Sequence, residues 1–243
     1  MRHLWEAALN VLYPPACCAC GAGTNRPGFC AACLRRISTP QSPLCPTCGL
    51  PFSTSGDADH LCGQCLQRRP CFGRARACTV YDAGATADHP LKLVLQRYKY
   101  NRAVSLARPL AELLAKRAPF AVADYDAVIP VPLHIERLRW RGFNQAQLLV
   151  RTVAARERVP IDPFSLRRTR STPPQVQLNE TERRHNVTGA FSVVRPRRVR
   201  GRRILLTDDV YTTGATVREC SRVLLRAGAT QVDVLVLARA VLR

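Results

Sequence analysis

The sequence predicts an α/β fold, with a mostly parallel β-sheet flanked by helices and preceded by a small cysteine-rich domain. Two observations support this. From residue 74 onward, segments with strand-like and helix-like spacing of apolar residues alternate. Eleven of the twelve cysteines lie between Cys17 and Cys78, so the first part of the chain differs from the rest. With 243 residues, the chain can hold one ordinary domain, placed at 73–243, and a small unit at 1–72.

The individual elements follow from local patterns along the chain. Residues 1–13 carry Arg2, Glu6 and a short apolar stretch, which predicts an amphipathic helix and not a signal peptide. Short apolar or β-branched runs predict strands at 76–81, 127–131, 164–167, 191–194, 204–207 and 232–238. Helical spacing predicts helices at 86–96, 103–117, 142–156 and 216–227, the last ended by Gly228.

Four Cys-x-x-Cys pairs stand in the cysteine-rich segment. Each pair suits one side of a metal ion, and two pairs complete a tetrahedron. Taken in chain order they predict two structural zinc sites with no position open for water; an iron–sulfur cluster is the main alternative. The proposed ligands are Cys17, Cys20, Cys30 and Cys33 for one site, and Cys45, Cys48, Cys62 and Cys65 for the other.

The chain carries a formal net charge of +20 and has a pI near 10.4. Arginine supplies nearly all of the positive charge, and such a field attracts polyanions, including nucleic acids. Charge alone does not separate a nucleic-acid binder from a protein that holds pyrophosphate. The sequence has no long uncharged apolar run, which argues against membrane insertion and favours a cytoplasmic location, where paired cysteines more often bind metals than form disulfides.

The stretch 203–216 is the most informative motif. A short strand leads to two adjacent acids, Asp208 and Asp209, and then to a loop rich in hydroxyls before a helix. Because ligands of open α/β sheets bind at the carboxyl ends of the strands, the motif predicts a site for an anion next to a polyol, such as a ribose 5-phosphate group. The acids would repel a phosphate, so their expected partners are the ribose hydroxyls. The hydroxyls of Thr212, Thr213 and Thr216 and the backbone N–H groups around Gly214 would point at the anion.

Basic and amide side chains follow the strand predicted at 127–131. Arg141, Asn144 and Gln145 are the candidates there for contacts to an anionic ligand, because a guanidinium pairs with two oxygens at once. Lys99, expected at a turn between two helices, is a further candidate for contact with the substrate. No glycine is followed by Lys-Ser/Thr and no Gly-x-Gly-x-x-Gly follows a strand, which disfavours ATP-dependent phosphoryl transfer and dinucleotide chemistry.

A long polar segment near 168–187 is predicted to be a lid over this edge of the sheet. Gln175, Arg183 and Asn186 are its candidate contacts. A lid would keep water, a competing nucleophile, away from a sugar phosphate bound at this edge.

The motif at 206–216 resembles the phosphoribosyl-pyrophosphate (PRPP) motif of type I phosphoribosyltransferases. Together with the four cysteine pairs, the turn at Lys99, the run from Arg141 to Gln145 and the segment 175–186, it makes the chain similar to the ComF family, also called ComF/GntX. That resemblance implies a type I phosphoribosyltransferase-like fold, Mg²⁺ bound together with PRPP, and a link to DNA uptake and natural competence. By that resemblance Asp208, Asp209 and Arg141 would be the catalytic residues, and the loop that carries Arg141, Asn144 and Gln145 would meet pyrophosphate. Val210 would also contact PRPP, and the 5-phosphate would lie on Tyr211, Thr212, Thr213, Gly214, Ala215 and Thr216.

Two functions from different classes remain open on the sequence. The first is a phosphoribosyltransferase; its acceptor is undefined, since Thr212 stands where purine-salvage members carry an acid. The second is a non-catalytic, zinc-dependent protein that binds single-stranded DNA on its basic surface and uses PRPP only as a structural or regulatory ligand.

Overall fold

The computed structural model describes residues 14–53, 58–82, 84, 88–171 and 186–241. Within these ranges, the main sheet has four parallel strands: β1 (Ala75–Asp82), β2 (Ala127–Pro130), β5 (Arg203–Tyr211) and β6 (Gln231–Val241). Their order across the sheet is β1-β6-β5-β2. The predicted helix over 1–13 and most of the predicted lid, including Gln175 and Arg183, lie outside the described residues.

Two short strands form a separate antiparallel pair, β3 (Leu166–Arg168) and β4 (Phe191–Val193). The helices are α1 (Ala31–Arg35), α2 (Gly63–Gln67), α3 (Pro90–Tyr100), α4 (Ala107–Arg117), α5 (Ile135–Arg141), α6 (Gln145–Arg156) and α7 (Ala215–Arg226). Short 3₁₀ turns occur at Val104–Leu106, Val122–Asp124 and Pro196–Arg198.

The helices form a layer on each face of the main sheet. On one face α4 and α6 pack against the strands, and on the other face α7 does. Side chains of β5 enter both cores in alternation, since Ile204 and Leu206 belong to the core under α7, whereas Leu205 belongs to the core under α4 and α6. The predicted α/β fold with a mostly parallel sheet is confirmed.

The cysteine-rich segment packs against both of these cores. Cys17 and Cys33 join the core that contains α3, α4 and α6. Cys45, Cys48, Cys62 and Cys65 join the core under α7. Backbone bonds tie this segment to β1: Val80 N donates to Ser38 O at 2.9 Å and Ala75 N to Thr47 O at 2.7 Å. The division into 1–72 and 73–243 remains a proposal.

The helix predicted at 86–96 is wrong at its end, because α3 continues to Tyr100. Pro90 stands at the start of α3, and Leu91, Val94, Leu95 and Tyr98 form a buried stripe with helical spacing. Lys99 therefore lies in the last turn of a helix and not in an inter-helix turn. The polar residues within 96–100 suggest that the helix ends at 96, but burial of Tyr98 stabilises one further helical turn.

The helix predicted at 142–156 begins three residues later, at Gln145, and a separate helix that was not predicted, α5, ends just before it at Arg141. Gly142 adopts φ +85°, which is left-handed, and its N–H closes the end of α5 on Leu138 O at 2.7 Å. Asn144 then caps α6, where its side chain accepts a hydrogen bond from Gln147 N. The break places Arg141 at the end of one helix and Gln145 at the start of the next.

Candidate functional site

A cavity of about 1540 Å³ opens at the carboxyl edge of the main sheet. The end of β5 and the loop after it form its floor, the segment after β2 forms one wall, and the last turn of α3 another. The cysteine-rich segment also lines the cavity, through Leu50, Cys62, Gly63 and Gln64. The cavity lies where open parallel sheets bind their ligands.

The acid pair lies on the strand and not beyond its end. The sequence predicted a strand ending at Thr207, but β5 runs to Tyr211 and includes both Asp208 and Asp209. Asp208 is half-buried, and its Oδ1 accepts a hydrogen bond from Asp209 N at 2.8 Å. Burial raises the pKa of Asp208 to about 7, and the adjacent Asp209 carboxylate contributes to the rise. Asp208 therefore changes its charge near neutral pH.

Asp209 is 8% exposed and forms an ion pair with Lys99, whose Nζ lies 2.9 Å from Asp209 Oδ1. Burial by itself would lower the pKa of Lys99, but the Asp209 carboxylate outweighs it and holds that pKa above its ordinary value. Lys99 thus remains a cation beside the two acids. The pair joins the last turn of α3 to β5 at the floor of the cavity.

The loop after β5 lines the cavity and leads into α7. Gly214 precedes α7 with φ +77°, and a Cβ there would lie 2.1 Å from the hydroxyl oxygen of Tyr211. Only glycine fits, because Tyr211 packs beneath this turn. Thr213 Oγ1 accepts a bond from Ala215 N at 3.4 Å. The first turn of α7 carries no acidic residue, which leaves its positive dipole end available to an anion.

Arg141 and Gln145 bring buried polar groups to the same cavity. Arg141 is 8% exposed and Gln145 is 3% exposed, and neither Arg141 Nε nor Gln145 Nε2 has a hydrogen-bond partner among the described residues. Burial lowers the pKa of Arg141, although the Asp209 carboxylate acts in the opposite direction. A buried donor without a partner is costly, so these two groups favour a polar ligand in the cavity.

Asn144 differs from its neighbours because both ends of its amide are used within the protein. Its oxygen caps α6, and its Nδ2 donates to Val131 O at 3.0 Å. Asn144 therefore fixes the segment between α5 and α6. Asn186, the one predicted lid contact among the described residues, accepts a bond from Arg170 on its backbone oxygen at 3.3 Å.

Several residues that line the cavity were not selected from the sequence, among them His134, Arg137 and Arg168. Arg168 ends β3, and Asp208 is among its electrostatic neighbours. The sequence placed residue 168 at the start of the lid, so its strand position went unnoticed. A cation at the end of a predicted strand is the signal that would have identified it.

The eight predicted metal ligands form two groups of four. In each group the sulfur atoms all lie within 4.8 Å of one another. The groups combine the cysteine pairs in chain order, as predicted: Cys17, Cys20, Cys30 and Cys33 form the first site, and Cys45, Cys48, Cys62 and Cys65 form the second. Backbone N–H groups point at the sulfurs, for example from Cys30 to Cys17 Sγ at 3.3 Å. Four converging sulfurs fit a structural zinc ion at each site.

The fold and these sites define an α/β protein with a double zinc ribbon. In agreement, residues 8–66 match the family described as the double zinc ribbon domain. The chain is 38% identical over 218 residues to the DNA utilization protein YhgH of Escherichia coli O157:H7, which covers 87% of this chain and 90% of that protein. It is 33% identical to competence protein F of Haemophilus influenzae, with 88% of this chain and 91% of that protein covered.

The chain belongs to the ComF family, to which these DNA utilization and competence proteins belong. Among solved structures, it is similar to a glutamine PRPP amidotransferase from B. subtilis complexed with ADP and GMP, with 24% identity and a TM-score of 0.36. That similarity covers 54% of this chain and 25% of the other. Across the described residues, none of the helices has the length and apolar character needed to cross a membrane.

Proposed function

We propose that the cavity binds PRPP and that the protein is a phosphoribosyltransferase. One observation supports this proposal: three kinds of group meet in one cavity. They are the acids Asp208 and Asp209, the latter paired with Lys99; the unpartnered donors of Arg141 and Gln145; and the N-terminus of α7 after Gly214. PRPP carries one phosphate, a ribose with two free hydroxyls, and a pyrophosphate. Each of these has a chemical counterpart here.

The 5-phosphate lies on the loop from Val210 to Thr216. The hydroxyls of Thr212, Thr213 and Thr216 and the N-terminus of α7 supply donors, and Gly214 lets the backbone turn towards the ligand. Asp208 and Asp209 are negative and do not suit a phosphate. They accept hydrogen bonds from the ribose hydroxyls, next to the phosphate.

The pyrophosphate lies towards Arg141 and Gln145. Their unpartnered N–H groups are donors for its oxygens, and Lys99 adds a positive charge. Asn144 positions both residues through its cap of α6. A magnesium ion fits here as a partner of the ligand, because Asp208 can give it one hard oxygen while Asp209 is engaged by Lys99. When bound, it neutralises charge on the leaving pyrophosphate.

The reaction breaks the bond between the ribose C1 and the pyrophosphate oxygen, and an acceptor lone pair forms the new bond to C1. The electron pair of the broken bond leaves with pyrophosphate, and the acceptor loses a proton to the solvent. Arg141 and Lys99 stabilise the charge that grows on the leaving group, which is electrostatic catalysis. Thr212 is exposed and carries no acidic group, so this position supplies no general base to the acceptor.

Release of pyrophosphate from PRPP tests the proposal. Nucleobases and amines serve as candidate acceptors, with wild type compared to Asp209→Asn. Asp126→Asn is the matched control, because Asp126 is an exposed carboxylate at the amino edge of the sheet, where it accepts a bond from Arg203 N. We expect release by wild type and by Asp126→Asn but not by Asp209→Asn. No release with any acceptor, or equal release by all three proteins, would contradict an enzyme at this site.

A second candidate function is binding of single-stranded nucleic acid, and it has its own surface. Exposed arginines crowd the segment before β5, and Arg195 lies 5.2 Å from the ring of Phe164, which is 58% exposed. Among the described residues, no side-chain hydrogen bond or ion pair engages four of these arginines, Arg197, Arg198, Arg200 and Arg202. This arginine surface is at the amino edge of the sheet, away from the cavity. Guanidinium groups and an exposed ring suit phosphates and bases.

Oligonucleotide retention at several salt concentrations tests this second function. Replacing Arg197, Arg198 and Arg200 by serine should weaken retention and reduce the slope of log affinity against log salt by about 2. Asp209→Asn should leave retention unchanged. Retention that ignores salt, or that the triple variant keeps in full, would rule out the arginine surface. A link of this chain to DNA uptake, suggested by the names of its relatives, rests on this test.

A further inference from the structure

A buried arginine connects the second zinc site to the floor of the cavity. Arg239, near the end of β6, is 4% exposed. Its Nη1 donates to Cys48 O at 2.6 Å, and its Nη2 lies 3.6 Å from Cys48 Sγ. Cys48 is one of the four sulfur ligands of the second site. Arg239 thus contacts both the backbone and the sulfur of a metal ligand.

The other side of Arg239 faces Tyr211, in the segment 210–216 that is proposed to bind the 5-phosphate. Its guanidinium carbon lies 4.4 Å from the ring centroid of Tyr211, which is 3% exposed. Tyr211 in turn packs so closely under Gly214 that a single added carbon would collide with its hydroxyl. A continuous line of packed groups therefore runs from the sulfur of Cys48, through Arg239 and Tyr211, to the turn that opens α7.

A second arginine makes a parallel connection. Arg218, in the first turn of α7, donates from Nη1 to Arg68 O at 2.8 Å, and its Nη2 lies 3.8 Å from Cys65 Sγ. Its backbone N–H donates to Gly214 O at 2.9 Å. The side chain of Arg218 therefore contacts a metal ligand, and its backbone N–H holds the turn at Gly214, where α7 begins.

These contacts depend on metal through simple electrostatics. Four thiolates around Zn²⁺ leave a net negative charge, whereas four thiols without metal are neutral. Metal at the second site therefore strengthens its contacts to the guanidinium groups of Arg239 and Arg218. The first site differs: within the described part of the chain, Arg117 contacts only backbone oxygens near it, those of Ile37 and Leu34, and no guanidinium contacts its sulfurs.

We infer that Arg239 and Arg218 are positioning residues that couple zinc at the second site to anion binding on the loop 212–216. Zinc orders the loop, so zinc strengthens PRPP binding, and by linkage PRPP strengthens the binding of zinc at that site. We expect the tighter binding to be seen as slower release of zinc from that site. The first site has no such coupling. The choice of PRPP as the ligand rests on the proposed function.

The test uses Arg239→Lys in the full-length, zinc-loaded protein. Lysine keeps the charge but lacks the planar fork that contacts Cys48 and stacks on Tyr211 at once. Arg218→Gln is the second variant, since Arg218 is only half-buried and its loss is tolerated more easily. Arg117→Lys is the matched control, because Arg117 is an arginine near the first site that donates only to backbone oxygens there. Each protein is first shown to hold two zinc ions and to be folded.

Two quantities are then measured: the affinity for Mg-PRPP by calorimetry, and the rate of zinc release to a chromogenic chelator with and without Mg-PRPP. In wild type and Arg117→Lys, we expect PRPP to slow release from one of the two sites. In Arg239→Lys and Arg218→Gln, PRPP should bind roughly 5- to 150-fold more weakly, and its effect on zinc release should shrink to match. A residue that only stabilised the fold would not change this ligand dependence.

The outcomes separate the inference from the proposed function. If wild type does not bind PRPP, both are overturned. If wild type binds PRPP but its zinc release is the same with and without ligand, the coupling is wrong and the proposed function stands. The coupling is also wrong if Arg239→Lys and Arg218→Gln bind PRPP as wild type does. If a variant loses second-site zinc before the titration, restored PRPP binding on adding zinc supports the coupling, and unchanged binding without that zinc overturns it.

Discussion

The Lys99 ammonium lies 2.9 Å from Asp209 Oδ1, and this contact joins α3 to β5 at the floor of the cavity. It places one cation among acids that would otherwise repel a phosphorylated ligand. It also compensates the burial of Asp209, which on its own would be unfavourable. The contact therefore serves both the stability of the site and its charge balance.

Replacing Lys99 by methionine should leave the Asp209 carboxylate buried without its partner. We expect a loss of stability on the order of 1–3 kcal/mol, measured by urea unfolding at pH 8. The double variant Lys99→Met/Asp209→Asn should recover most of that loss, because the amide needs no counter-charge. Equal stability of the single and double variants would contradict the cost assigned to the unpaired Asp209 carboxylate.

Asp208→Asn should make the ligand-free protein more stable at alkaline pH. Burial, together with the adjacent Asp209 carboxylate, raises the pKa of Asp208 to about 7, well above the ordinary value of an aspartate. A carboxyl group whose pKa is higher in the folded than in the unfolded protein contributes its full stabilisation at a pH below its unfolded pKa. This contribution is lost as the pH rises through about 7, its pKa in the folded protein. Asparagine does not titrate, so its stability advantage should grow between pH 4 and pH 7 and level off above pH 8, at on the order of 1–3 kcal/mol.

Thermal unfolding of both proteins across this pH range measures the difference. The same variant should bind Mg-PRPP more weakly at pH 8, since it lacks the carboxylate that accepts from the ribose. A stability difference that does not change with pH would contradict the raised pKa.

Gly214→Ala should damage ligand binding far more than another substitution at a left-handed glycine. Gly201 has φ +74° and no atom within 4 Å of an added Cβ, whereas at Gly214 the Cβ collides with Tyr211. Gly201→Ala should cost about 1 kcal/mol from the backbone alone. Gly214→Ala should cost about 1–3 kcal/mol more and displace the phosphate loop. Chemical unfolding and PRPP titration measure both effects, and equal losses at the two positions would contradict the packing of Tyr211.

Two zinc ions per chain should be found by elemental analysis, and they should leave at different rates. Cys20 of the first site is exposed and Cys30 half-buried, whereas all four ligands of the second site are buried. A chelator should therefore remove first-site zinc faster. Cys20→Ser should lose the fast phase, and Cys71→Ser, which changes an exposed cysteine outside both sites, should keep it. A single phase carrying both ions would contradict the difference in burial.

Local patterns in the sequence were sufficient for the sheet, the main helices and both groups of cysteines. Apolar runs such as 204–207 and 232–238 mark central strands, and Cys-x-x-Cys spacing fixes the geometry of each metal half-site. One kind of error occurred where a polar residue continues an element, and another where Gly142 separates two helices. Lys99 was placed in a turn because polar residues surround it, yet buried Tyr98 extends the helix beneath it.

Long-range contacts could not be obtained from spacing. Arg239 reads as one arginine among many near the end of the chain, and its contact with Cys48 spans 191 positions. The same holds for Arg168, whose position in the cavity depends on the pairing of β3 with β4. Such residues act through contacts made by the tertiary fold, which no local pattern encodes.

Calorimetric titration of Mg-PRPP into folded, zinc-loaded protein tests the central claim most directly. If the acid pair and the loop 210–216 bind this ligand, wild type gives saturable heat with one site per chain, and Asp209→Asn at the same concentration gives much weaker binding. Absence of saturable heat in wild type, or undiminished binding by Asp209→Asn, would contradict the account.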